Sequence, residues 1–280
     1  MKMTSTFVIG DPITHSRSPL IHNYWIGRNA LNGEYQPIHV PDDGLNEFIA
    51  RLRAGEYAGG NVTIPHKENV ARLVDVLTDT ARTIGAVNTL WRDEAGAVHG
   101  DNTDAYGFSA NMNQQAPQWQ NANNVLIIGA GGAARAIIHA CLENGMDQIV
   151  VANRTRQKAE HLADTFGASV STIDWDERNH HVAKTQCIIN TTALGMHGQP
   201  PLDLALDRAG KDCIVSDIVY VPLETPLLSD ARKRGLATVD GLGMLLHQAV
   251  PGFARWHGIR PIVDSQLRER VIDDLERRAS

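Results

Sequence analysis

A short apolar strand that runs directly into closely spaced glycines constrains this chain more than any other feature: Asn124-Val125-Leu126-Ile127-Ile128-Gly129-Ala130-Gly131-Gly132-Ala133-Ala134-Arg135. In a G-x-G-x-x-[GA] pattern the first glycine permits a tight turn and the second lets the backbone approach a pyrophosphate. A small third residue holds the following helix against the strand. Gly129, Gly131 and Ala134 occupy those places, and Ala130, Gly132 and Ala133 add little bulk between them. An anion can then sit on the free N–H groups that open the helix. A second apolar run, Gln148-Ile149-Val150-Val151-Ala152, ends at Asn153-Arg154-Thr155, where a dinucleotide fold reads the ribose. A carboxylate at that point accepts the 2′-hydroxyl of NAD and repels a 2′-phosphate, and none stands there. Arg154, supported by Asn153, Thr155 and Lys158, offers charge-assisted donors instead, which points to NADP as the cofactor.

A chain of 280 residues exceeds a typical single core and suits about two domains. With 42% hydrophobic and 21% charged residues, and helical and strand patterns alternating, the fold class is α/β. The net charge of -6 argues against a nucleic-acid partner, and Arg268, Arg270, Arg277 and Arg278 alternate with Glu269, Asp273, Asp274 and Glu276 as on a solvated helix face. Cys141, Cys187 and Cys213 lie far apart in apolar surroundings, an odd set that fits a reducing compartment. They have no Cys/His spacing for zinc, so no metal is expected. The N-terminus enters a strand without a hydrophobic signal core, and no apolar run approaches the ~20 residues of a membrane span, so a cytoplasmic location is expected. The sequence is compatible with a monomer or a homodimer.

The first stretch reads as strand, helix, strand, helix: Thr6 to Ile9, Pro19 to Leu31, Glu34 to His39, Leu45 to Leu52. Leu45, Phe48, Ile49 and Leu52 fall at helical spacing, as do Val70, Leu73, Val74 and Leu77, so both stretches are expected to bury one helical stripe. Ala86 to Trp91 and Ala97 to Gly100 flank Asp93-Glu94-Ala95-Gly96, a hairpin signal, and a helix is expected from Asp104. A polar stretch, residues 114–124, precedes the glycine-rich strand, with a domain transition expected nearby. Further strands are expected at Cys187 to Asn190, Cys213 to Asp217 and Thr238 to Asp240, making a doubly wound nucleotide domain. After Gly241-Leu242-Gly243 the chain turns helical to its end. The expected division is a substrate domain of residues 1–104 plus 244–280 and a Rossmann-like NADP domain of residues 105–243.

A cofactor fold does not name a reaction, so the other half must supply substrate contacts and a proton relay. Ser16 and Ser18, then Asn61, Thr63 and Lys67, then Asn88 and Asp104 stand where strands end or helices begin. Lys67, just after Pro65, is expected in a first helical turn, where a cation meets the positive end of the macrodipole at a cost of about 0.3–1 kcal/mol. A lysine in so unfavourable a place suits proton transfer, with Asp104 as its partner. Read without function, Ser18 caps the helix before Pro19, and Asp104 caps its own.

These residues resemble the shikimate dehydrogenase family over nearly the whole chain. The resemblance is carried by Ser16-Arg17-Ser18-Pro19, Asn61-Val62-Thr63-Ile64-Pro65-His66-Lys67, Gly85-Ala86-Val87-Asn88-Thr89, Gly100-Asp101-Asn102-Thr103-Asp104, the Gly129 to Ala133 loop, Asn153-Arg154-Thr155 and Asp240-Gly241-Leu242-Gly243-Met244. It implies NADPH-dependent reduction of 3-dehydroshikimate to shikimate in aromatic amino-acid biosynthesis, with Lys67 and Asp104 as the catalytic pair. It also implies that Ser16 and Ser18 hold the substrate carboxylate, that Asn61, Thr63, Asn88, Asp104 and Gln248 hold its ring hydroxyls, and that Tyr220 adds a contact. Ile218 and Gly241 would border the cofactor, and the C-terminal helices would return to the first domain.

Three positions depart from the family pattern. Lys158 stands for a frequent second arginine, Ile218 for a methionine beside the nicotinamide, and Ala105 for a glycine. A lysine grips a phosphate as a point charge rather than a planar fork, which implies weaker cofactor selectivity. His15, His22, His66 and His99 are read as structural or solvated. The competing readings are a quinate or aminoshikimate dehydrogenase of the same superfamily and, in another class, a non-catalytic NADP sensor. Ser18, Thr63 and the missing acid at Asn153 favour shikimate over quinate, and the presence of both Lys67 and Asp104 opposes the sensor.

Overall fold

The computed structural model describes residues 3–279. They divide into two compact units, one running up to Thr103 and resuming at Leu246, the other Asp104–Leu245.

The first unit contains strands β1 (Thr4–Gly10), β2 (Gly33–His39), β3 (Gly59–Val62), β4 (Val76–Leu77), β5 (Thr89–Arg92) and β6 (Val98–Asp101). They form one sheet in the order β2-β1-β3-β5-β6-β4. Strands β1, β2 and β3 are mutually parallel, whereas β5 runs antiparallel to both β3 and β6. The helices of this stretch are α1 (Ser18–Arg28), α2 (Leu45–Arg53), α3 (Lys67–Val70) and α4 (Asp79–Ile84). The expected stripe of α2 is buried, with Leu45, Phe48, Ile49 and Leu52 in one apolar cluster with Phe7, Val62 and Leu90. The expected hairpin also forms: Asp93 N–H donates to Ala97 O at 3.0 Å, and the Asp93 carboxylate accepts from Ala97 N–H at 2.9 Å.

The expected helix through Leu77 is a correction. Helix α3 stops at Val70, and Leu77 lies on β4 instead. Asp75 causes the switch: its N–H donates to Val98 O at 2.9 Å and its carboxylate accepts from Val98 N–H at 2.8 Å, which draws Val76 and Leu77 beside β6. The apolar spacing survives because Val70 remains buried, with Leu73, Val74 and Leu77 packed against the same core.

Strand β3 is not expected from the sequence, since Gly59-Gly60 carries no strand propensity. Here the glycines are required by packing. A Cβ on Gly59 would lie 2.3 Å from both Leu90 O and Trp256 Nε1, and one on Gly60 would lie 2.3 Å from Phe7 O.

The second unit begins with helix α5 (Asp104–Gln115), as expected from Asp104. Its strands are β7 (Asn124–Ile128), β8 (Gln148–Ala152), β9 (Val170–Ile173), β10 (Cys187–Asn190), β11 (Ile214–Asp217) and β12 (Ala237–Val239). All are parallel, in the order β12-β11-β10-β7-β8-β9. That is the doubly wound dinucleotide order, whose switch point lies between β7 and β10. Helices α6 (Gly132–Glu143), α7 (Arg156–Phe166), α8 (Arg178–His181) and α9 (Pro226–Lys233) connect the strands. Strand β9 escapes the sequence pattern because Val170-Ser171-Thr172-Ile173 is short and half polar. All three cysteines are free and buried, and burial pushes the Cys141 thiol up to about 12.

Helix α10 (Leu242–His247) leads out of β12, followed by α11 (Ala249–His257) and α12 (Ser265–Ala279). As the resemblance implied, the last two belong to the first unit. Trp256 Nε1 on α11 donates to Leu90 O of β5 at 2.9 Å, and Asp274 on α12 pairs with Arg17 at 2.8 Å. No helix among the described residues is long and apolar enough to cross a membrane.

Candidate active site

In the first unit the predicted polar residues from Ser16 to Asn88 lie along one edge of the sheet, and the strand directions explain why, while Asp104 is the residue at which the second unit begins. Strands β1, β3 and β6 end at the edge where the antiparallel β5 begins. Ser16 and Ser18 follow β1, Asn61 lies on β3 with Thr63 just beyond it, Asn88 precedes β5 and Asp104 follows β6. Backbone bonds stitch the edge together: Thr63 N–H to Ile9 O at 2.9 Å, Val62 N–H to Asn88 O at 2.8 Å and Asn88 N–H to Asp101 O at 3.0 Å.

Side chains then fix the polar groups. Asn61 is buried and donates to Asn88 O at 3.0 Å and to Thr89 Oγ1 at 3.1 Å, while its Oδ1 accepts from the Tyr35 hydroxyl at 2.6 Å. Both amide hydrogens are therefore spent within the protein, leaving one lone pair of Oδ1 for a ligand. Asn88 Oδ1 accepts from Thr103 N–H at 2.9 Å and from Thr89 Oγ1 at 2.8 Å. Thr103 Oγ1 donates to Gln248 O at 2.8 Å, bringing Gln248 to the same edge. Ser18 is the first residue of α1, not its cap, and its N–H donates to Ser16 Oγ at 3.3 Å. Lys67 opens α3 as expected and is half-buried, but that helix is only one turn long, so the macrodipole argument has little helix behind it. Its carbonyl accepts from Val87 N–H at 2.8 Å, tying the lysine backbone to the segment that carries Asn88. Asp104 is the first residue of α5 and is half-buried.

The histidines behave as structural groups. His22 is fully buried, stacked on Tyr35 with centroids 4.1 Å apart, and burial pushes its pKa down to about 3. Burial likewise pushes the Tyr35 phenol well up, against hydrogen bonds with Ser18 and Asn61. His66 Nε2 lies 2.6 Å from Val40 O, and His99 pairs with Asp93 at 2.9 Å.

In the second unit, a cleft of about 270 Å³ opens at the switch point of the sheet. Gly129, Ala130, Gly131, Asn153, Arg154, Thr155 and Lys158, all cofactor candidates from the sequence, line it. Gly129 has φ +109, and a Cβ there would lie 2.5 Å from Thr191 Oγ1, so both conformation and space demand glycine. At Gly131 and Gly132 a Cβ would meet nothing, which leaves an open cradle before the N-terminus of α6. Ala134 is fully buried, the close helix contact that the motif requires. Asn153 Nδ2 donates to Thr155 O at 2.8 Å and fixes the loop that carries Arg154. The lining holds two cations and no carboxylate, so the residues fit a nucleotide bearing a 2′-phosphate. Arg156 points elsewhere, bonded to Glu160 and Asp174.

Family models match the chain twice, one described as the shikimate dehydrogenase substrate binding domain over residues 8–90, the other as shikimate / quinate 5-dehydrogenase over residues 111–197. A shikimate dehydrogenase (NADP(+)) of Brucella abortus (strain S19) is 52% identical over 274 residues, covering 96% of this chain and 94% of its own. This chain belongs to the shikimate dehydrogenase family. Among solved structures, the shikimate 5-dehydrogenase of Thermus thermophilus in complex with NADP(H) and shikimate superposes with TM-score 0.84 at 31% identity, covering 99% of this chain and 100% of its own. The quinate dehydrogenase of Corynebacterium glutamicum in complex with NAD gives TM-score 0.89 at 31% identity, with 97% and 100% covered. Quinate and shikimate members therefore share this fold, and side chains rather than architecture distinguish them.

Sequence reasoning misses three residues of the cleft: Trp175, Thr191 and Thr192. Thr191 and Thr192 directly follow β10, the strand beside β7, so the doubly wound strand order could have found them. Trp175 sits in a 3₁₀ turn after the unrecognised β9, with the Arg178 guanidinium 4.4 Å from its ring centre. Four predicted cofactor residues lie outside this lining: Gly132 and Ala133 open α6, Ile218 follows β11 directly, and Gly241 lies against Ile218. A Cβ on Gly241 would come 2.2 Å from Ile218 O.

Proposed function

We propose that this chain catalyses the reversible, NADPH-dependent reduction of 3-dehydroshikimate to shikimate, a step toward chorismate and the aromatic amino acids. The observation that carries the reading is the pairing of an acid-free, cation-lined cleft in one unit with a convergent set of neutral hydrogen-bonding groups and Lys67 in the other. A small acid bearing several hydroxyls needs that inventory, and reduction of a ketone needs one proton relay.

Bound NADPH supplies the hydride for the C3 carbonyl carbon. Lys67, as an ammonium, hydrogen-bonds the carbonyl oxygen and gives it a proton as alkoxide character develops, and in the reverse direction the amine takes that proton back. Asp104 orients the lysine and a ring hydroxyl. Ser16 and Ser18 receive the carboxylate, and Thr63, Asn88 and Gln248 hold hydroxyls. Asn61 accepts from one through its remaining lone pair, and Tyr220 adds a further contact. Arg154 and Lys158 hold the 2′-phosphate, and the Gly131–Gly132 cradle takes the pyrophosphate. The enzyme works in the cytoplasm, which suits its three free thiols, as a monomer or a homodimer.

The test is an initial-rate assay of shikimate and quinate, each with NADP⁺ and NAD⁺, following the reduced nicotinamide. Turnover confined to shikimate with NADP⁺ is expected. Preference for quinate or for NAD⁺ would overturn the specificity, and silence in all four combinations would overturn the activity.

A further inference from the structure

Asp217, the last residue of β11, is fully buried, and the chemistry above makes no use of it. Its Oδ1 accepts from Val219 N–H and from Asn190 Nδ2, each at 3.0 Å, and its Oδ2 accepts from the Thr225 hydroxyl at 2.7 Å. Asn190, the last residue of the neighbouring β10, is equally engaged. Its second amide hydrogen goes to Leu194 O at 3.0 Å, and its Oδ1 accepts from Thr192 N–H at 3.0 Å and from Thr192 Oγ1 at 2.7 Å. One carboxylate and one carboxamide thus join the loops that leave two adjacent parallel strands.

Backbone contacts complete the junction. Ile218 N–H donates to Asn190 O at 3.1 Å, and His197 N–H donates to Val221 O at 2.8 Å. On the other side, Gly241 lets the Ile218–Val219 backbone close onto the turn after β12, because any side chain there would strike Ile218 O. The carboxyl ends of three adjacent strands are thereby built into one plate, at the edge where open α/β sheets bind their ligands.

We propose that Asp217 and Asn190 are positioning residues, which clamp the loops after β10 and β11 so that Ile218 and Tyr220 are held in register for hydride transfer. The proposal rests on the reading above that Ile218 borders the nicotinamide and Tyr220 the substrate. Stability does not account for the carboxylate. Despite three hydrogen bonds, burial pushes Asp217 up to about 6, so its ionised form costs folding energy that a neutral asparagine in its place avoids. That cost is the ground for assigning this carboxylate a conformational role.

The test compares wild type with Asp217→Ala, Asp217→Asn and Asn190→Ala. Three measurements are made: amide exchange by mass spectrometry, affinity for 2′-phospho-ADP-ribose, and the isotope effect on 3-dehydroshikimate reduction with NADPH deuterated at the transferred position. In Asp217→Ala, kcat is expected to fall about 10–100-fold with a larger isotope effect, as misplacement of reacting groups by about 1 Å would give. Affinity for the adenosine half should fall far less than kcat, because Arg154, Lys158 and the glycine loop lie outside the clamped segments and only Thr191 and Thr192 of that cleft belong to them. Exchange should rise in residues 190–195 as well as 217–222. Asp217→Asn keeps the Oδ1 acceptor and should recover most of kcat. Should Asp217→Ala fail to fold, Asn190→Ala breaks the same clamp from the other loop and should reproduce the pattern. Unchanged kcat in a folded clamp variant, or exchange rising in only one loop, would overturn the proposal. A wild-type enzyme that reduces no 3-dehydroshikimate would refute the functional reading, while the exchange comparison would still decide whether the clamp exists.

Discussion

Replacing Asp217 by asparagine should remove from the protein's stability a pH dependence that the folded environment of this one carboxyl dictates. Its pKa stands at about 6 in the folded protein against an ordinary value of 3.8, because burial outweighs the hydrogen bonds from Thr225, Val219 N–H and Asn190, none of which titrates. A carboxyl whose folded pKa is raised binds its proton more tightly in the folded state. Stability from this group is therefore complete below the unfolded pKa and declines as pH rises through the folded one. Integrating between those two pKa values, wild type loses about 2 kcal/mol between pH 4 and pH 7 from Asp217 alone. Asparagine has no such term. Any packing cost of the amide is the same at both pH values, so the difference between them isolates the titration. Urea unfolding of both proteins at pH 4 and pH 7 measures it. Relative to wild type, Asp217→Asn should gain about 2 kcal/mol on going from pH 4 to pH 7. A relative stability flat with pH, or one moving the other way, refutes the argument that burial controls this group.

Four further outcomes are expected. Arg154→Ser should weaken NADPH binding about 10–50-fold, the loss of one partly solvated charge-assisted contact, and leave NADH binding unchanged; titration of each nucleotide by fluorescence measures both. Lys67→Ala should lower kcat about 10²–10⁴-fold with little change in the KM for substrate, read from initial rates, since a proton relay acts mainly in the transition state. Gly129→Ala should cost roughly 1–3 kcal/mol from its left-handed backbone, in addition to the clash with Thr191, and should abolish NADPH binding, as thermal melts with and without nucleotide would show. Tyr35→Phe leaves Asn61 Oδ1 buried without its phenolic donor, which should cost about 1–3 kcal/mol in urea unfolding.

What was legible in the sequence followed local rules. The Gly129 loop, β8 and the hairpin around Asp93 depend on residues near one another in the chain, and all three formed where expected. The misses came from distant partners. Gly59-Gly60 reads as a breaker, yet it is a central strand because Phe7, Leu90 and Trp256 leave room for nothing larger. Val70 to Leu77 has helical spacing, yet Val98 captures Asp75 and turns the second half into a strand. Trp175 is out of reach for the same reason, since it follows the unrecognised β9, whereas Thr191 can be placed only once the order of strands in the sheet, and not its own neighbours, is taken into account.

The sequence also identifies polar residues without saying which of their hydrogen-bonding sites remain open, and that accounting separates two asparagines that look alike in the chain. Asn61 and Asn190 both stand at the carboxyl end of a buried strand, and both precede a threonine-bearing loop. Asn61 gives both its hydrogens to the protein but keeps an oxygen lone pair, so it can still accept from a hydroxyl of a small ligand. Asn190 has spent both hydrogens on Leu194 and Asp217 and its oxygen on two bonds from Thr192, so it has nothing left to offer a ligand. A residue saturated in this way can act on chemistry only through the segments that it holds. That is why we propose Asn61 for recognition of the substrate, and Asn190 with Asp217 for holding the loops still.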